Sequence, residues 1–295
     1  MDEQIKQKMN EYIKLVEENL DRFIPVEYPE KIWESMRYSV LAGGKRLRPI
    51  LTLETCRVLS GSYEQAIAAA CAIEMLHSQS LIHDDLPCMD NDDYRRGKPT
   101  NHKVFGEAIA VLAGDALLSF APQVILQNTP KTVSETQLLK VLEEFLVSAG
   151  ASKLIGGQVV DIESEGKQIS HETLNYIHAN KTGALFKLAM RMGAILAGAD
   201  EQKLQAVTEF AEKFGLAFQI MDDILDVTST LEELGKTPGK DAVEGKVTYV
   251  SFYGVEESKK QLNSLCEQAC GILEKNEINS DILMAITNSI NERVK

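Results

Sequence analysis

Apolar positions recur at three- and four-residue steps along almost the whole chain. Ile5, Met9, Tyr12, Ile13, Val16 and Leu20 make one stripe, which predicts an amphipathic helix at the start. Ser62-Tyr63-Glu64-Gln65 reads as a capping box. The helix it opens runs through the alanine-rich stretch 66–72 to about Asp85, where Pro87 stops it. At ~1.5 Å per residue this helix exceeds ~30 Å, and its alanines let a neighbour approach closely. Further helices are expected over 104–128, with a bend at Pro122, and from Ser134, with Gln137 three residues on. Others are expected over about 150–164, 171–198 (N-cap Ser170), 201–227 (N-cap Asp200), 257–275 and 281–293 (N-cap Ser280). No proline lies between Pro130 and Pro238, so helices can run unbroken there. No alternating run bounded by turns is present, so strands are not expected. With no fixed-period repeat and no Gly/Ser/Pro-rich linker, the pattern predicts one all-α domain over residues 1–295, a bundle of about ten helices.

Composition narrows the class. The chain has 295 residues, 44% of them apolar, enough for a large core. A net charge of −13 argues against non-specific binding to nucleic acid or to anionic lipid. Five cysteines without small-secreted-domain spacing point to a reducing compartment. The charged opening segment does not read as a signal peptide, and no window holds the ~18–20 continuous apolar residues of a membrane span. A soluble, cytoplasmic protein without stable membrane insertion is expected.

Two acidic clusters stand out. The first is Asp84-Asp85-Leu86-Pro87-Cys88-Met89-Asp90, and the second is Asp222-Asp223-Ile224-Leu225-Asp226. Each follows a long apolar helix. Asp222 and Asp226 share one helical face, with Gln219 a turn earlier, while Pro87 lets Asp90 fold back toward Asp84. Like charges this close repel unless a cation sits between them, and carboxylates with few imidazole or thiolate neighbours suit Mg²⁺. Either cluster alone reads as a solvated helix end; the pair reads as a metal-lined cleft. The basic residues bunch at Lys45-Arg46-Leu47-Arg48, after Gly43-Gly44, at Arg95-Arg96-Gly97-Lys98, and at Lys181, Lys236, Lys240 and Lys246. Arginine forks and mobile lysines suit phosphate oxygens. No two histidines have metal-ligand spacing, Cys266 and Cys270 read as helix packing, and no dinucleotide or P-loop motif is present.

GGKRLRP (43–49), HDDLPCMDNDDYRRGKPTNH (83–102), VLAGDALL (111–118), GGQVVDIESEG (156–166), HANKTGALF (178–186) and GLAFQIMDDILDV (215–227) resemble the trans-type short-chain isoprenyl diphosphate synthases, over roughly residues 35–255. The resemblance implies a helical bundle around a deep cavity, as a homodimer. It implies that Asp84, Asp85, Asp90, Asp222, Asp223 and Asp226 hold three Mg²⁺ on an allylic diphosphate, which Arg95, Lys181, Lys236 and Lys246 also contact. Gly44, Lys45, Arg48, His77 and Arg96 would bind isopentenyl diphosphate, and Lys181, Thr182 and Gln219 would serve the reacting centre. Product length would be set near Gln79 and Ser80, where farnesyl-forming relatives often carry an aromatic; Gln79 departs from that pattern and also from the methionine common in geranylgeranyl formers. The overall pattern leans to farnesyl diphosphate as product, with geranylgeranyl diphosphate the alternative. A terpene cyclase would leave Lys45, Arg48 and Arg96 without a substrate. A non-catalytic partner subunit would typically lose an aspartate motif, and a structural protein would leave six aspartates without a role.

Overall fold

The computed structural model describes residues 2–228 and 246–294. They form thirteen α-helices, and nearly all their buried apolar side chains join one continuous core. Helix α1 (Glu3–Phe23) buries Tyr12, Val16 and Leu20, part of the stripe read from the sequence. Helix α2 (Glu30–Val40) and α3 (Leu47–Ser60) lead to α4 (Ile67–Asp84). In α4 every residue from Ala68 to Leu76 is buried, so this helix has no polar face in its first half. Helices α1, α2 and α3 pack around it, as do two later helices, α6 (Glu107–Asn128) and α10 (Gly183–Leu196). Cutting back Ile73 or Leu76 to alanine would open a cavity at the centre, a cost of ~2–5 kcal/mol.

The capping box at Ser62 does not form. Ser62 Oγ accepts from Glu64 N at 3.3 Å, Gln65 turns away to Ser60, and a 3₁₀ turn (Glu64–Ala66) precedes α4. The tighter turn satisfies the first donors in its place. A second departure follows the first aspartate cluster. Tyr94–Arg95 and Lys98–Pro99 pair as a two-stranded antiparallel ladder, although no strand was expected. Arg96 and Gly97 both have positive φ, 54° and 75°, which is the hairpin turn of the type I′ class. Two residues per strand are too few to show alternation in sequence.

The helix expected over 104–128 is two. Gly106 (φ 84°) separates α5 (Asn101–Phe105) from α6, and α6 then continues through Pro122. Helix α7 (Glu135–Ala149) starts at a true capping box between Ser134 and Gln137. Helix α8 (Leu154–Ser164) begins later than the sequence suggested. The helix expected over 171–198 is interrupted: α9 (His171–Ile177), capped by Ser170, leads into a π-turn over His178–Thr182, then α10. In that turn Gly183 N bonds to His178 O, five residues back, so one extra residue is accommodated and Lys181 and Thr182 are re-aimed. Helix α11 (Glu201–Thr228), where Asp200 accepts from Lys203 N at 2.8 Å, carries the second aspartate cluster. Helix α12 (Tyr249–Lys275) starts eight residues before the expected position but breaks at Gly254, and α13 (Asp281–Glu292) is capped by Ser280. Cys266 is buried on α12 and all five cysteines are free. Helix α6 has the length and mean hydropathy, 1.8, of a membrane span, a test that the core helix of a soluble bundle also passes.

Candidate active site

The first aspartate cluster begins where α4 ends. Asp90 N bonds to Asp84 O at 2.9 Å, so the turn through Pro87 folds back as the spacing implied. Burial, reinforced by Asp90 and Asp85 and opposed by Lys181 and Arg95, pushes the Asp84 carboxyl up to about 6. Asp85 is buried and is gripped by Arg95 through Nε, at 3.0 Å, and through Nη2. Arg95 Nη2 also reaches Asp92 at 3.1 Å. The hairpin turn thus aims Arg95 at the aspartates and Arg96 the other way. Asp85, Arg95 and Arg96 line one cleft with Ser78 and Leu81.

The second cluster lies on α11. Thr182 Oγ1 donates to Gln219 Oε1 at 2.9 Å, and Gln219 Nε2 donates to Asp223 Oδ1 at 3.0 Å. Asp223 Oδ2 accepts from Tyr249 N at 2.9 Å, with His178 Nε2 at 3.6 Å. Asp223, only 2% exposed, therefore spends both oxygens on α11 and the start of α12. Burial draws the His178 imidazole down to about 4, so it is neutral where it stacks on Tyr249. Asp226 is also buried, and its Oδ2 has no hydrogen-bond partner among the described residues. Lys181 Nζ donates to Asp161 Oδ2 at 2.6 Å, and Lys246 Nζ stands 3.9 Å from Asp90 Oδ1, which joins the lead-in to α12 to the first cluster. Lys236 and Lys240 lie outside the described residues.

The basic bunch before α3 faces the same region. Arg48 sits over the Phe186 ring at 4.5 Å, and its Nε is buried without a partner among the described residues. Burial lowers its guanidinium to about 10, still charged at neutral pH. Burial also lowers Lys45, aided by Arg293 and opposed by the charge of Asp222, so this loop feels the second aspartate cluster. Arg96 donates to Gly43 O and approaches Glu74 Oε1 at 3.4 Å. Gly44 has φ +130°, and a Cβ there would stand 3.0 Å from Arg96 Cζ, so the glycine makes room for the guanidinium. His77 is held neutral by burial and by the Arg48, Arg96, Arg95 and Arg46 charges around it.

Two further residues matter that the motifs did not single out. Glu74 is buried at 2% exposure and accepts from Arg46 Nη1 at 2.7 Å as well as meeting Arg96. Its signal in the sequence is a lone acid inside an otherwise apolar stretch, 67–76. Asp161 holds Lys181 and lies one turn after Gly157, whose missing Cβ lets α8 press on the π-turn (2.4 Å to Lys181 N). Gln79 is buried and Ser80 half-buried on the final two turns of α4 before Asp84. Among the described residues no three acids, histidines or cysteines converge into a preformed metal cage.

The chain matches the polyprenyl synthetase family over residues 29–286. It is 52% identical to the geranylgeranyl diphosphate synthase of Cyanophora paradoxa, over 87% of this chain and 85% of that protein. It is 54% identical to a dimethylallyltranstransferase of Fischerella ambigua, over 86% of this chain and 73% of that one. Among solved structures, an FPP/GFPP synthase from Zymomonas mobilis superposes with a TM-score of 0.87 at 34% identity, covering 98% of this chain and 99% of that one. Geranylgeranyl pyrophosphate synthetase from Pyrococcus horikoshii superposes with a TM-score of 0.84 at 30% identity, covering 98% of each chain. The chain therefore belongs to the polyprenyl synthetases, the trans-isoprenyl diphosphate synthases, and is a short-chain prenyltransferase.

Proposed function

We propose that this chain, as one domain, condenses isopentenyl diphosphate with allylic diphosphates up to a twenty-carbon product. The observation that carries the reaction is that cations stand against both carboxylate clusters, Arg95 and Lys246 at the first and Lys45 at the second, with Thr182 tied through Gln219 to Asp223. The donor set fits Mg²⁺: Asp226 Oδ2 is buried without a partner among the described residues, and Asp84 is pushed up by burial and by its acidic neighbours. Magnesium takes one or two protein carboxylates and completes its shell with water and phosphate, so a closed protein cage is not required. Asp84, Asp85 and Asp90, with Asp222, Asp223 and Asp226, would hold it, three ions per site by the resemblance. Bound there, it supplies electrostatic stabilisation to the departing diphosphate. Asp223 also orients Gln219.

The protein's own groups do the rest. Arg95, Lys181 and Lys246 neutralise charge that grows on the diphosphate as the allylic C1–O bond breaks and the electron pair leaves with oxygen. Lys45, Arg48, Arg96 and His77 hold isopentenyl diphosphate so that its double bond attacks C1 and forms the new C–C bond. A proton then leaves C2 of the isopentenyl unit for the released diphosphate. Thr182 and Gln219 present oxygen dipoles to the allylic cation, and no protein nucleophile is needed. The growing tail runs along α4, past Asp84 toward Ser80 and Gln79, neither of which is aromatic.

That absence, with relatives at about half identity named as geranylgeranyl synthases, favours twenty carbons over the farnesyl product that the motif pattern suggested. The apolar side chains that α6 and α7 turn outward, among them Leu112, Leu126, Leu139 and Leu146, support a homodimer. A cytoplasmic location is part of the same proposal. Product analysis by mass spectrometry tests it, with isopentenyl diphosphate, Mg²⁺ and dimethylallyl, geranyl or farnesyl diphosphate in turn. Twenty carbons are expected. A stop at fifteen would restore the farnesyl reading, and no condensation with any primer would overturn the assignment.

A further inference from the structure

One polar chain on α4 lies outside the diphosphate machinery. Gln79 Nε2 is 3.1 Å from His83 Nδ1, and His83 Nε2 is 3.1 Å from the main-chain oxygen of Val111 on α6. A carbonyl oxygen can only accept and an amide nitrogen can only donate, so His83 Nε2 donates to Val111 and Nδ1 accepts from Gln79. The direction of the whole chain is therefore fixed, from Gln79 through His83 to α6. Helix α6 is shaped for it. At Gly114, one turn from Val111, an added Cβ would fall 2.0 Å from His83 Nε2 and 2.4 Å from Cδ2. Glycine leaves the groove in which the imidazole lies. Ser80, beside Gln79, is tied back to His77 O at 2.9 Å, so it too is held on the α4 surface.

We propose that His83 and Gly114 are positioning residues for product length: together they park Gln79 against the seam between α4 and α6 and keep its amide out of the path of the growing tail. The inference rests on the reading above that the tail passes Gln79. A glutamine side chain is long and has several rotamers. Held by His83 it lies along its own helix, from residue 79 toward residue 83. Released, it can swing across the path that the next isoprene unit needs. One such unit is about as long as one helical turn, ~5.4 Å, so one side chain at this level decides one elongation cycle.

The test is product distribution for wild type, His83→Ala, Gly114→Ala, Gln79→Ala and the double variant Gln79→Ala/His83→Ala. His83→Ala and Gly114→Ala are each expected to lower the share of the longest product at least ~3-fold relative to wild type, in favour of the product one unit shorter. A ~3-fold change in such a ratio is about 0.65 kcal/mol. In the Gln79→Ala background, His83→Ala is expected to change nothing further, which a merely structural role would not reproduce. Gly114→Ala keeps the test alive should the residue next to Asp84 not tolerate change. Unchanged distributions in both single variants overturn the proposal. So does a shift to longer products, which would make the tethered Gln79 itself the stop. The wild-type product length reports separately on the twenty-carbon reading.

Discussion

Glu74→Gln is the most informative single change in the frame behind the cations. Glu74 is 2% exposed, and the Arg46 side chain it meets at 2.7 Å has no exposure at all. The same oxygen is 3.4 Å from Arg96 Nη2. Glutamine keeps the shape but removes the charge, which leaves Arg46 buried with only Glu17 among the described residues, half-exposed and 3.6 Å from its Nε, as an ionic partner. Breaking one side of a buried pair costs ~3–5 kcal/mol, and the remaining Glu17 contact together with the Arg46 bond to Val40 O brings the expectation to about 2–4 kcal/mol. Urea unfolding followed by far-UV circular dichroism, at fixed protein concentration, should show a lower midpoint at unchanged slope. The same variant loosens Arg96, so the KM for isopentenyl diphosphate should rise more than kcat falls. An unchanged midpoint would refute the reasoning, because it would mean that Arg46 and Arg96 do not depend on this carboxylate.

The remaining predictions concern the edges of the site. Gly44→Ala forces a side chain onto φ +130° and against Arg96, so the KM for isopentenyl diphosphate should rise about 10-fold, or ~1.4 kcal/mol, with kcat nearly unchanged; equal affinity would separate Arg96 from that substrate. In the metal-free protein the Asp84 carboxyl titrates near 6 when folded and at about 3.9 when unfolded, so its contribution to stability is full below about pH 4 and is lost as pH rises through 6. His77 and His178, lowered by burial, act in the opposite sense over the same range, so the quantity to compare is the stability of Asp84→Asn minus that of wild type. That difference should grow by roughly 1–3 kcal/mol in favour of Asn between pH 4 and pH 7, and a flat difference would sink it.

Much of this was legible in the sequence because helical periodicity and caps are local. The stripe from Ile5 to Leu20, the caps at Ser134, Ser170, Asp200 and Ser280, and the return of Asp90 to the end of α4 were all readable from residue spacing. What was not legible is set by contacts across the fold. The Arg96-Gly97 turn makes a hairpin too short for alternation to register. The π-turn at His178–Thr182 breaks no propensity rule; the neighbouring α8 backbone, met at Gly157, is what it packs against. Ser62 offered a capping box, but Ser60 competed for Gln65. Asp223 sits inside an aspartate motif, yet only the fold brings Tyr249 N to it.

Helix α8 has a mechanical consequence for the ammonium of Lys181. Gly157 touches the lysine's main chain, and four residues on, from the same side of the helix, Asp161 holds its tip. Both ends of the lysine are therefore fastened to a single mount, with no soft side chain between mount and backbone to absorb a shift. A rigid displacement of α8 moves that charge by about the same distance, and ~1 Å of misplacement can cost ~100-fold in rate. The outer side of the mount carries Ile155, Val159 and Ile162, all substantially exposed, so a push on those three residues would move the ammonium that we assign to the leaving diphosphate.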